Sequence, residues 1–277
     1  MIPKTIHYCW FGNNPLPEIS ERCIQSWREH CPDYEIVLWN EENYDLSNAP
    51  LYVQQAYQEE KWAYATDYIR LWIIYHYGGI YLDTDVELIR NVDDLLDCQA
   101  FFGFENTDRS SHQEVYYINT GLGFGAVKYN EILLEMMEDY QQIPFIINGG
   151  HYDALSCAKR NTHVLVSRGM SMDGNSQFLE DNIRILSTDW LCPMDYMCGI
   201  LECTENTHSI HHFATSGLSP YERFLRGKRL SFIKKYGLEP GLKKAKNWTR
   251  MHKFLRYSLY VKEKGWKAAL HKIIIKF

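Results

Sequence analysis

The chain has 277 residues, of which 45% are hydrophobic and 14% aromatic, so it can bury a large core and is not intrinsically disordered. Its formal net charge of −6 conceals an uneven distribution: residues 1–222 hold 12 Lys and Arg against 33 Asp and Glu, whereas residues 223–277 hold 17 against two. We therefore expect an acidic domain over 1–222 and a basic tail over 223–277 that faces an anionic surface.

The first residues and the cysteines indicate an intracellular protein. The N-terminal sequence MIPKTIHYCWFG lacks the apolar core of a secretory signal, and the eight cysteines form no C-x-x-C pair. We therefore expect reduced thiols and a cytoplasmic location. The longest apolar stretch, around 71–82, is interrupted by His76, Gly78 and Gly79 and is too short to span a bilayer, which needs about 20 residues.

The first elements in chain order predict a β-α-β unit followed by a long helix. An apolar run over 5–11 ends at a glycine and predicts a buried strand. A helix over 19–30 and a strand over 34–39 come next. The stretch over 62–77 has no Gly or Pro and stops at Gly78, which is typical of a helix with a glycine cap.

The rest of the acidic region predicts further strands separated by one helix and one loop-like segment. The strand candidates are 80–82, 100–105, 116–127, 183–186 and 208–213; the helix covers 131–140 and the loop-like segment 148–177. This alternation of strands and helices favours an α/β fold with a mostly parallel sheet.

Two carboxylates after the apolar strand 80–82 are the strongest candidates for a functional site. Asp83 and Asp85 form a D-x-D pattern, which also arises by chance, so its position carries the inference. Open α/β sheets bind ligands at the carboxyl ends of their strands. Two buried carboxylates also need solvent or a cation. Asp67 and Arg70, three residues apart on the preceding helix, offer a carboxylate and a guanidinium to one polar ligand.

These groups suit a reaction in which a diphosphate leaves. A divalent cation held by carboxylate oxygens neutralises phosphate charge, and Mg²⁺ or Mn²⁺ typically takes one or two protein carboxylates. His211 and His212, late in the strand candidate 208–213, are candidates for a third ligand, and imidazole suits Mn²⁺ better than Mg²⁺. Otherwise they are structural or surface histidines.

Three segments together resemble the DXD-containing glycosyltransferases of family 32. They are IPKTIHYCWFG, the sequence ATDYIR leading into YGGIYLDTDVE, and the late IHHF. That family includes bacterial capsular polysaccharide sugar transferases and initiating mannosyltransferases, and the clostridial glucosylating toxins are distantly similar. The resemblance implies a GT-A fold, a UDP- or GDP-sugar donor, Mn²⁺ or Mg²⁺, and transfer with retention of anomeric configuration, in surface or capsular polysaccharide synthesis.

The resemblance also implies roles for individual residues. Asp83 looks like the carboxylate that contacts the donor sugar and ribose, and Asp85 like the direct metal ligand. Asp67 and Arg70 match the family's sugar-binding pair. Trp10 stands where the family has an aromatic beside the nucleotide base, where stacking contributes about 1–3 kcal/mol; otherwise it is a core aromatic.

Three further residues are weaker candidates. Asn119, in YYINTGLG, is either a residue near the acceptor or reacting sugar or a turn residue. Glu87 alternates with the two aspartates, and Glu105 leaves another strand candidate.

The family's late motif usually ends in Ser-Trp, and this chain lacks that Trp, which leaves the choice between His211 and His212 open.

The acceptor and the mechanism leave alternatives. Retention needs either an enzyme nucleophile or attack on the same face as the leaving group, and the sequence favours the second because no other acid stands out. The acceptor is a glycan or lipid-linked molecule, or alternatively a protein. A haloacid-dehalogenase-type phosphohydrolase also has a D-x-D strand, but here the motif starts only at residue 83. A non-enzymatic membrane adaptor leaves the carboxylates unexplained.

The basic tail has two amphipathic patterns with a break near Gly265. One comprises Trp248, Met251, Leu255 and Leu259, and the other Trp266, Leu270, Ile273 and Phe277. They predict a helical pair that either packs on the acidic domain or lies on an anionic membrane. The second arrangement would place the protein on the inner face of the membrane. No nucleic-acid partner is expected, because no reader motif accompanies the charge.

Overall fold

The computed structural model describes residues 1–106, 115–147, 151–153, 155–214, 218, 220–252, 258, 261–262 and 266. Its contacts divide the chain into two compact units. The first comprises Met1–Thr107, Glu114–Met194 and Leu201–Ala214, and the second Asp108–Gln113, Asp195–Ile200 and Thr215–Phe277. Position 222, after which the charge changes sign, lies inside a helix that begins at Pro220.

Strands and helices alternate through the first unit, as the sequence predicts. The strands are β1 Thr5–Cys9, β2 Glu35–Trp39, β3 Gly79–Tyr81, β4 Val86–Leu88, β5 Ala100–Gly103, β6 Phe124–Ala126, β7 Ile146–Ile147, β8 His151–Tyr152, β9 Gln177–Leu179, β10 Ile183–Leu186 and β11 Ser209–His211. The helices of this unit are α1 Glu18–His30, α2 Leu51–Gln58, α3 Trp62–Tyr77, α4 Glu131–Gln141, α5 Cys157–Ser167 and α6 Thr188–Leu191.

Seven strands form the main sheet, in the order β2-β1-β3-β6-β5-β10-β9. β1 pairs in parallel with β2 and β3, and β5 with β10. The pairings of β6 with β3 and β5, and of β9 with β10, are antiparallel. The α/β class is therefore confirmed, and the sheet is mixed: β2, β1, β3, β5 and β10 run in one direction, and β6 and β9 run in the other. A second, two-stranded sheet pairs β11 with β4.

The long helix α3 has the bounds that the sequence predicts. It ends at Gly78, whose φ of 71° is easily adopted only by a residue without a side chain. Ile69, Leu71 and Ile73 are fully buried in the core. α3 packs on α2, α4 and strands β1 and β3. This central position explains why one helix carries both core residues and site residues.

The predicted strand 116–127 is wrong over most of its length, since only Phe124–Ala126 forms a strand. Asn119 Oδ1 accepts a hydrogen bond from the Gly121 N–H at 2.8 Å, which turns the chain. Gly123, with φ of 119°, keeps it out of extended geometry. An isolated bridge joins Ile118 to Phe104.

The prediction of a loop over 148–177 is also wrong, because α5 lies within it. Ser156 caps this helix by accepting from the Lys159 N–H. Its buried face includes Asn161 and Thr162, whose side chains hydrogen-bond the 118–120 segment. Because the buried face of α5 is partly polar, the sequence has no clear helical hydrophobic period there, and the helix is not predicted.

The second unit contains α7, Pro220–Tyr236, and α8, Leu238–Met251, joined at Gly237 with φ of 81°. A break between helices thus lies at Gly237, where none is predicted from the sequence. Trp248 and Met251 lie in α8, and Trp266 is largely exposed. Five residues of the two predicted patterns, and the expected break, lie outside the described residues: Leu255, Leu259, Leu270, Ile273, Phe277 and Gly265. Among the described residues, no helix is long and apolar enough to cross a membrane.

Candidate functional site

The parallel strands β1 and β3 bring two candidate segments to one edge of the sheet. Residues 6 and 7 pair with 80 and 81, and the Leu82 N–H donates to the His7 carbonyl. Asp83 therefore follows β3 at the edge where Trp10 follows β1. The Trp10 side chain is half-buried and its indole N–H donates to the Asn14 carbonyl at 2.6 Å.

Arg70 links the carboxylate on α3 to the first carboxylate of the D-x-D pair. Its buried guanidinium lies 2.9 Å from Asp67 Oδ1 through Nη2, and 3.6 Å from Asp83 Oδ2 through Nη1. Nε donates to the Thr66 carbonyl at 2.9 Å, one turn earlier on the helix. The guanidinium carbon lies 5.1 Å from the centre of the Tyr81 ring. Arg70 is thus held from several sides, and it fixes both carboxylates in turn.

Burial raises the pKa of both acids beside Arg70. The pKa of Asp67 rises to about 6 because burial and the nearby Asp83 charge outweigh Arg70. The pKa of Asp83 also rises through burial and the neighbouring Asp85, with Arg70 opposing. Tyr81 donates its hydroxyl to Asp83 Oδ1 at 3.0 Å. Burial thus disfavours the charged forms of the two carboxyl groups that share Arg70.

Asp85 lies against His211, which the small sheet β4–β11 brings to the motif. Nε2 of His211 is 3.2 Å from Asp85 Oδ1, and the Ala214 N–H donates to Oδ2 at 2.7 Å. Burial alone would raise the pKa of Asp85, but His211 and the Ala214 N–H together lower it to about 2. The pKa of His211 is raised, because Asp85 outweighs the burial of the imidazole.

Asp83, Asp85 and His211 lie close enough together to bind one metal ion. Each offers one ligand atom, and the three atoms all lie within 4.8 Å of one another. Nδ1 of the buried His211 has no hydrogen-bond partner among the described residues, so the imidazole is not fully satisfied by the protein. Two carboxylate oxygens and one imidazole nitrogen fit a hard or borderline divalent cation. These residues therefore form a candidate metal site.

The structure separates the two adjacent histidines. His212 lies apart from this group, and its Nε2 contacts Glu87 Oε2 at 2.6 Å. His212 also donates its backbone N–H to the Asp85 carbonyl at 2.9 Å. The alternative that the sequence leaves open thus has a geometric answer: His211 faces the D-x-D carboxylates, and His212 pairs with the weaker candidate Glu87.

Glu105 and Asn119, both weaker candidates, are bonded to each other beside the same site. The Asn119 amide donates to Glu105 Oε1 at 2.9 Å, while its oxygen accepts from Gly121. Burial raises the pKa of Glu105, and His211 opposes this rise. The Cys157 thiol, at the first turn of α5, lies 4.0 Å from Asn119 Oδ1. Asn119 is therefore both a turn residue and a neighbour of the site.

Four contributors to the site were missed by sequence reasoning. Gly121 and Ala214 contribute through backbone, so no side-chain pattern announces them. Tyr81 is indistinguishable from a core aromatic until its hydroxyl is seen on Asp83. Cys157 lies on the helix that the sequence concealed. The glycines in NTGLG were the one usable signal, since closely spaced glycines mark a close approach of backbone to other groups.

Comparison with known proteins identifies the segment that carries these carboxylates. Residues 17–102 match the family described as "Glycosyltransferase sugar-binding region containing DXD motif". This stretch includes α3, Asp67, Arg70, Asp83 and Asp85. The family resemblance seen in the sequence is confirmed over this segment, which matches the DXD-containing glycosyltransferase family.

Two curated relatives are similar to about a third of the chain. Inositol phosphoceramide mannosyltransferase 3 of Schizosaccharomyces pombe is 39% identical over 103 residues, covering 36% of this chain and 29% of the relative. Mannosyl phosphorylinositol ceramide synthase CSH1 of Saccharomyces cerevisiae is 35% identical over 104 residues, covering 36% and 27%. The match thus spans less than a third of each relative's own length.

Solved structures show lower similarity. The glycosyltransferase PaToxG has a TM-score of 0.45 at 18% identity, covering 60% of this chain and 69% of that chain. A glycosyltransferase involved in the glycosylation of the major capsid of PBCV-1 has a TM-score of 0.44 at 13% identity, covering 82% and 99%. Both TM-scores lie below 0.5.

Proposed function

We propose that this protein is a metal-dependent, GT-A-type glycosyltransferase that moves a sugar from a nucleotide-diphosphate donor to a glycan or lipid-linked acceptor. One observation carries the proposal: Asp83, Asp85 and His211 converge at the edge of the sheet beside Asp67 and the buried Arg70. The family match over 17–102 supports the same reaction class.

The chain's own residues bind and orient the donor in this proposal. Asp67 accepts hydrogen bonds from sugar hydroxyls, and Arg70 donates hydrogen bonds to them. The contacts of Arg70 with Thr66 and Tyr81 hold its guanidinium in place for this role. Asp83 contacts the sugar and ribose from the other side of Arg70. Trp10, at the same sheet edge, stacks on the nucleotide base.

A divalent cation, Mn²⁺ or Mg²⁺, is held by Asp83, Asp85 and His211. When bound, it supplies positive charge for the diphosphate that leaves. A metal ion would take Asp85 as a carboxylate and His211 as a neutral imidazole, so its binding would displace the proton that the raised pKa of His211 favours. The imidazole of His211 adds a nitrogen ligand, which favours Mn²⁺ over Mg²⁺.

Retention by same-face attack is part of the proposal. A double displacement needs a carboxylate free to attack the sugar, but Asp67 is bonded to Arg70 and Glu105 to Asn119. Carboxylates committed to such partners are poor nucleophiles, which supports attack on the face of the leaving group. The anomeric configuration of the product, read by nuclear magnetic resonance, tests this step; an inverted product would contradict it.

The names of the curated relatives support a choice of sugar and acceptor. One is called an inositol phosphoceramide mannosyltransferase, and the other a mannosyl phosphorylinositol ceramide synthase. We therefore favour mannose as the sugar and a lipid-linked, phosphate-bearing acceptor in surface or capsular polysaccharide synthesis. The protein would then act on the cytoplasmic face of a membrane.

The deciding experiment is a screen of nucleotide sugars for hydrolysis that depends on Mn²⁺, with a GDP-linked and a UDP-linked mannose in the first panel. Asp85→Asn should abolish the activity. Asp94→Asn is the matched control, because Asp94 also pairs with a buried histidine, His208 at 2.8 Å, but away from the motif. Normal turnover by Asp85→Asn, or release of phosphate from a phosphomonoester, would refute the proposal.

A further inference from the structure

A cleft of about 570 Å³ lies within the second unit, far larger than a packing defect and within the ~300–1,000 Å³ typical of ligand sites. Among the described residues it is lined by α7, α8 and the short segment 195–200. Asp195 fixes this segment, because its Oδ1 accepts from the N–H groups of Met197 and Cys198 at 2.7 and 2.8 Å. The wall formed by Tyr196 and Met197 is therefore a defined surface.

The packing of the two helices leaves the cleft open. Near the turn at Gly237 the helices touch: a Cβ on Gly241 would lie 2.5 Å from the Ile233 Cα, so only glycine allows this approach. Farther from the turn, the rings of Phe224 on α7 and Trp248 on α8 face each other, with centroids 5.9 Å apart. On α8, Leu242, Ala245 and Thr249 face the cleft at positions i, i+3 and i+7, which is one stripe of the helix.

The α7 wall carries two arginines that the protein leaves incompletely satisfied. Arg226 and Arg229 lie three apart on the same face. The Nε atoms of both are buried and have no hydrogen-bond partner among the described residues. Arg226 is tethered through Nη2 to the Tyr196 carbonyl at 3.3 Å, and its Cζ lies 4.9 Å from the centre of the Tyr196 ring.

The two neighbouring arginines favour the binding of an anion. Burial lowers the pKa of Arg226, and the charge of Arg229 lowers it further against the opposing effect of Tyr196. The described lining holds four basic residues and one acid, Glu222; Lys228 and Lys246 are the other two bases. A phosphate group suits two guanidinium groups, because each offers parallel N–H donors to its oxygens.

We propose that this cleft binds the headgroup of an anionic phospholipid, a site distinct from the sugar-transfer function proposed above. The phosphate lies between Arg226 and Arg229, and the adjoining apolar part of the lipid lies along Leu225, Leu242 and Met197. The mixed lining favours a lipid over a free phosphate: arginine donors suit the phosphate, while the leucines and methionine suit only an apolar chain.

Vesicle flotation with the full chain tests the site. Binding is measured to phosphatidylcholine vesicles with and without phosphatidylglycerol, for Arg226→Gln/Arg229→Gln and for Lys234→Gln/Lys235→Gln. The control pair removes the same charge from exposed positions of α7 outside the cleft lining. We expect the arginine variant to bind the anionic vesicles at least about tenfold more weakly than the lysine variant, with circular dichroism unchanged.

Ala245→Phe distinguishes binding in the cleft from diffuse charge attraction, since it places a large side chain in the cleft and keeps every charge. It should weaken vesicle binding about as much as the arginine variant does. Equal losses in the two double variants, or undiminished binding by a folded Ala245→Phe, would overturn the proposal. So would tight binding of inorganic phosphate or glycerol phosphate without any binding to vesicles. Because donor hydrolysis is read separately, failure here leaves the transferase proposal standing.

Discussion

Gly121 lies directly against Asp83: a Cβ added to Gly121 would be 2.4 Å from Asp83 Oδ2 and 3.0 Å from Arg70 Nη1. Neither neighbour can give way cheaply. Arg70 is anchored on Thr66 and Asp67, and Asp83 is also held by the Tyr81 hydroxyl. The absence of a side chain at position 121 is therefore a condition for the carboxylate geometry of the whole site.

Gly121→Ala should cost activity far more than stability. The added methyl group displaces Asp83, and a shift of about 1 Å in a reacting constellation costs about 100-fold in rate. The measurement is kcat for donor hydrolysis, with thermal unfolding alongside. Gly227→Ala is the control: it lies in α7, where an added methyl group would meet nothing within 4 Å, so it should keep full activity and gain about 0.5–1 kcal/mol of stability. An active Gly121→Ala enzyme would contradict the close packing of Gly121 on Asp83.

His211→Ala and His212→Ala should differ sharply in metal binding. His211 belongs to the group of three ligand atoms, whereas His212 is paired with Glu87. Titration calorimetry with Mn²⁺ should show a loss of affinity of about 100-fold or more for His211→Ala and less than about tenfold for His212→Ala. Equal losses in both variants would mean that the metal contacts a different set of side chains.

The parts of the site that lie close together in sequence were predictable, and those joined only by the fold were not. Asp67 and Arg70 share a helix face, and Asp83 and Asp85 follow the next strand, so helical and strand periods alone place all four at one edge. His211 arrives from residues more than a hundred positions later through the β4–β11 pairing. Its motif could suggest a ligand, but the neighbouring His212 fits the same pattern.

Helix α5 was not predicted from the sequence, for a related reason. α5 buries Asn161 and Thr162 because their side chains satisfy backbone and hydroxyl groups of 118–120. Local hydrophobicity records burial only when the buried face is apolar. Where a helix packs through hydrogen bonds, its position depends on partners that the sequence does not place nearby, and both the helix and the turn it supports escape prediction.

Arg70→Lys should reduce activity by about tenfold or more despite the retained charge. A lysine offers one ammonium group, which cannot bond Asp67, reach toward Asp83 and anchor on the Thr66 carbonyl at once. We expect a lower kcat with a smaller change in KM. Arg168→Lys, in an ion pair with Glu135 elsewhere on the first unit, should leave both constants unchanged. If both variants kept normal kcat, Arg70 would be only a structural arginine.

The unfolding free energy should fall in mild acid because of His7. This buried imidazole accepts at Nδ1 from the Trp39 indole N–H, 3.0 Å away, and therefore donates from Nε2 to the Gly78 carbonyl at 3.1 Å. Burial lowers its pKa from 6.5 to about 4, against the hydrogen bond to Gly78. The unfolded chain thus takes up a proton first: the stabilisation is complete above about pH 6.5 and is lost as the pH falls toward 4, by about 3 kcal/mol in all. His7→Gln keeps a donor and an acceptor but cannot titrate, so urea unfolding at pH 7 and pH 4.5 should show a smaller difference for the variant than for the wild type. The same difference in both proteins would show that another group causes the acid sensitivity.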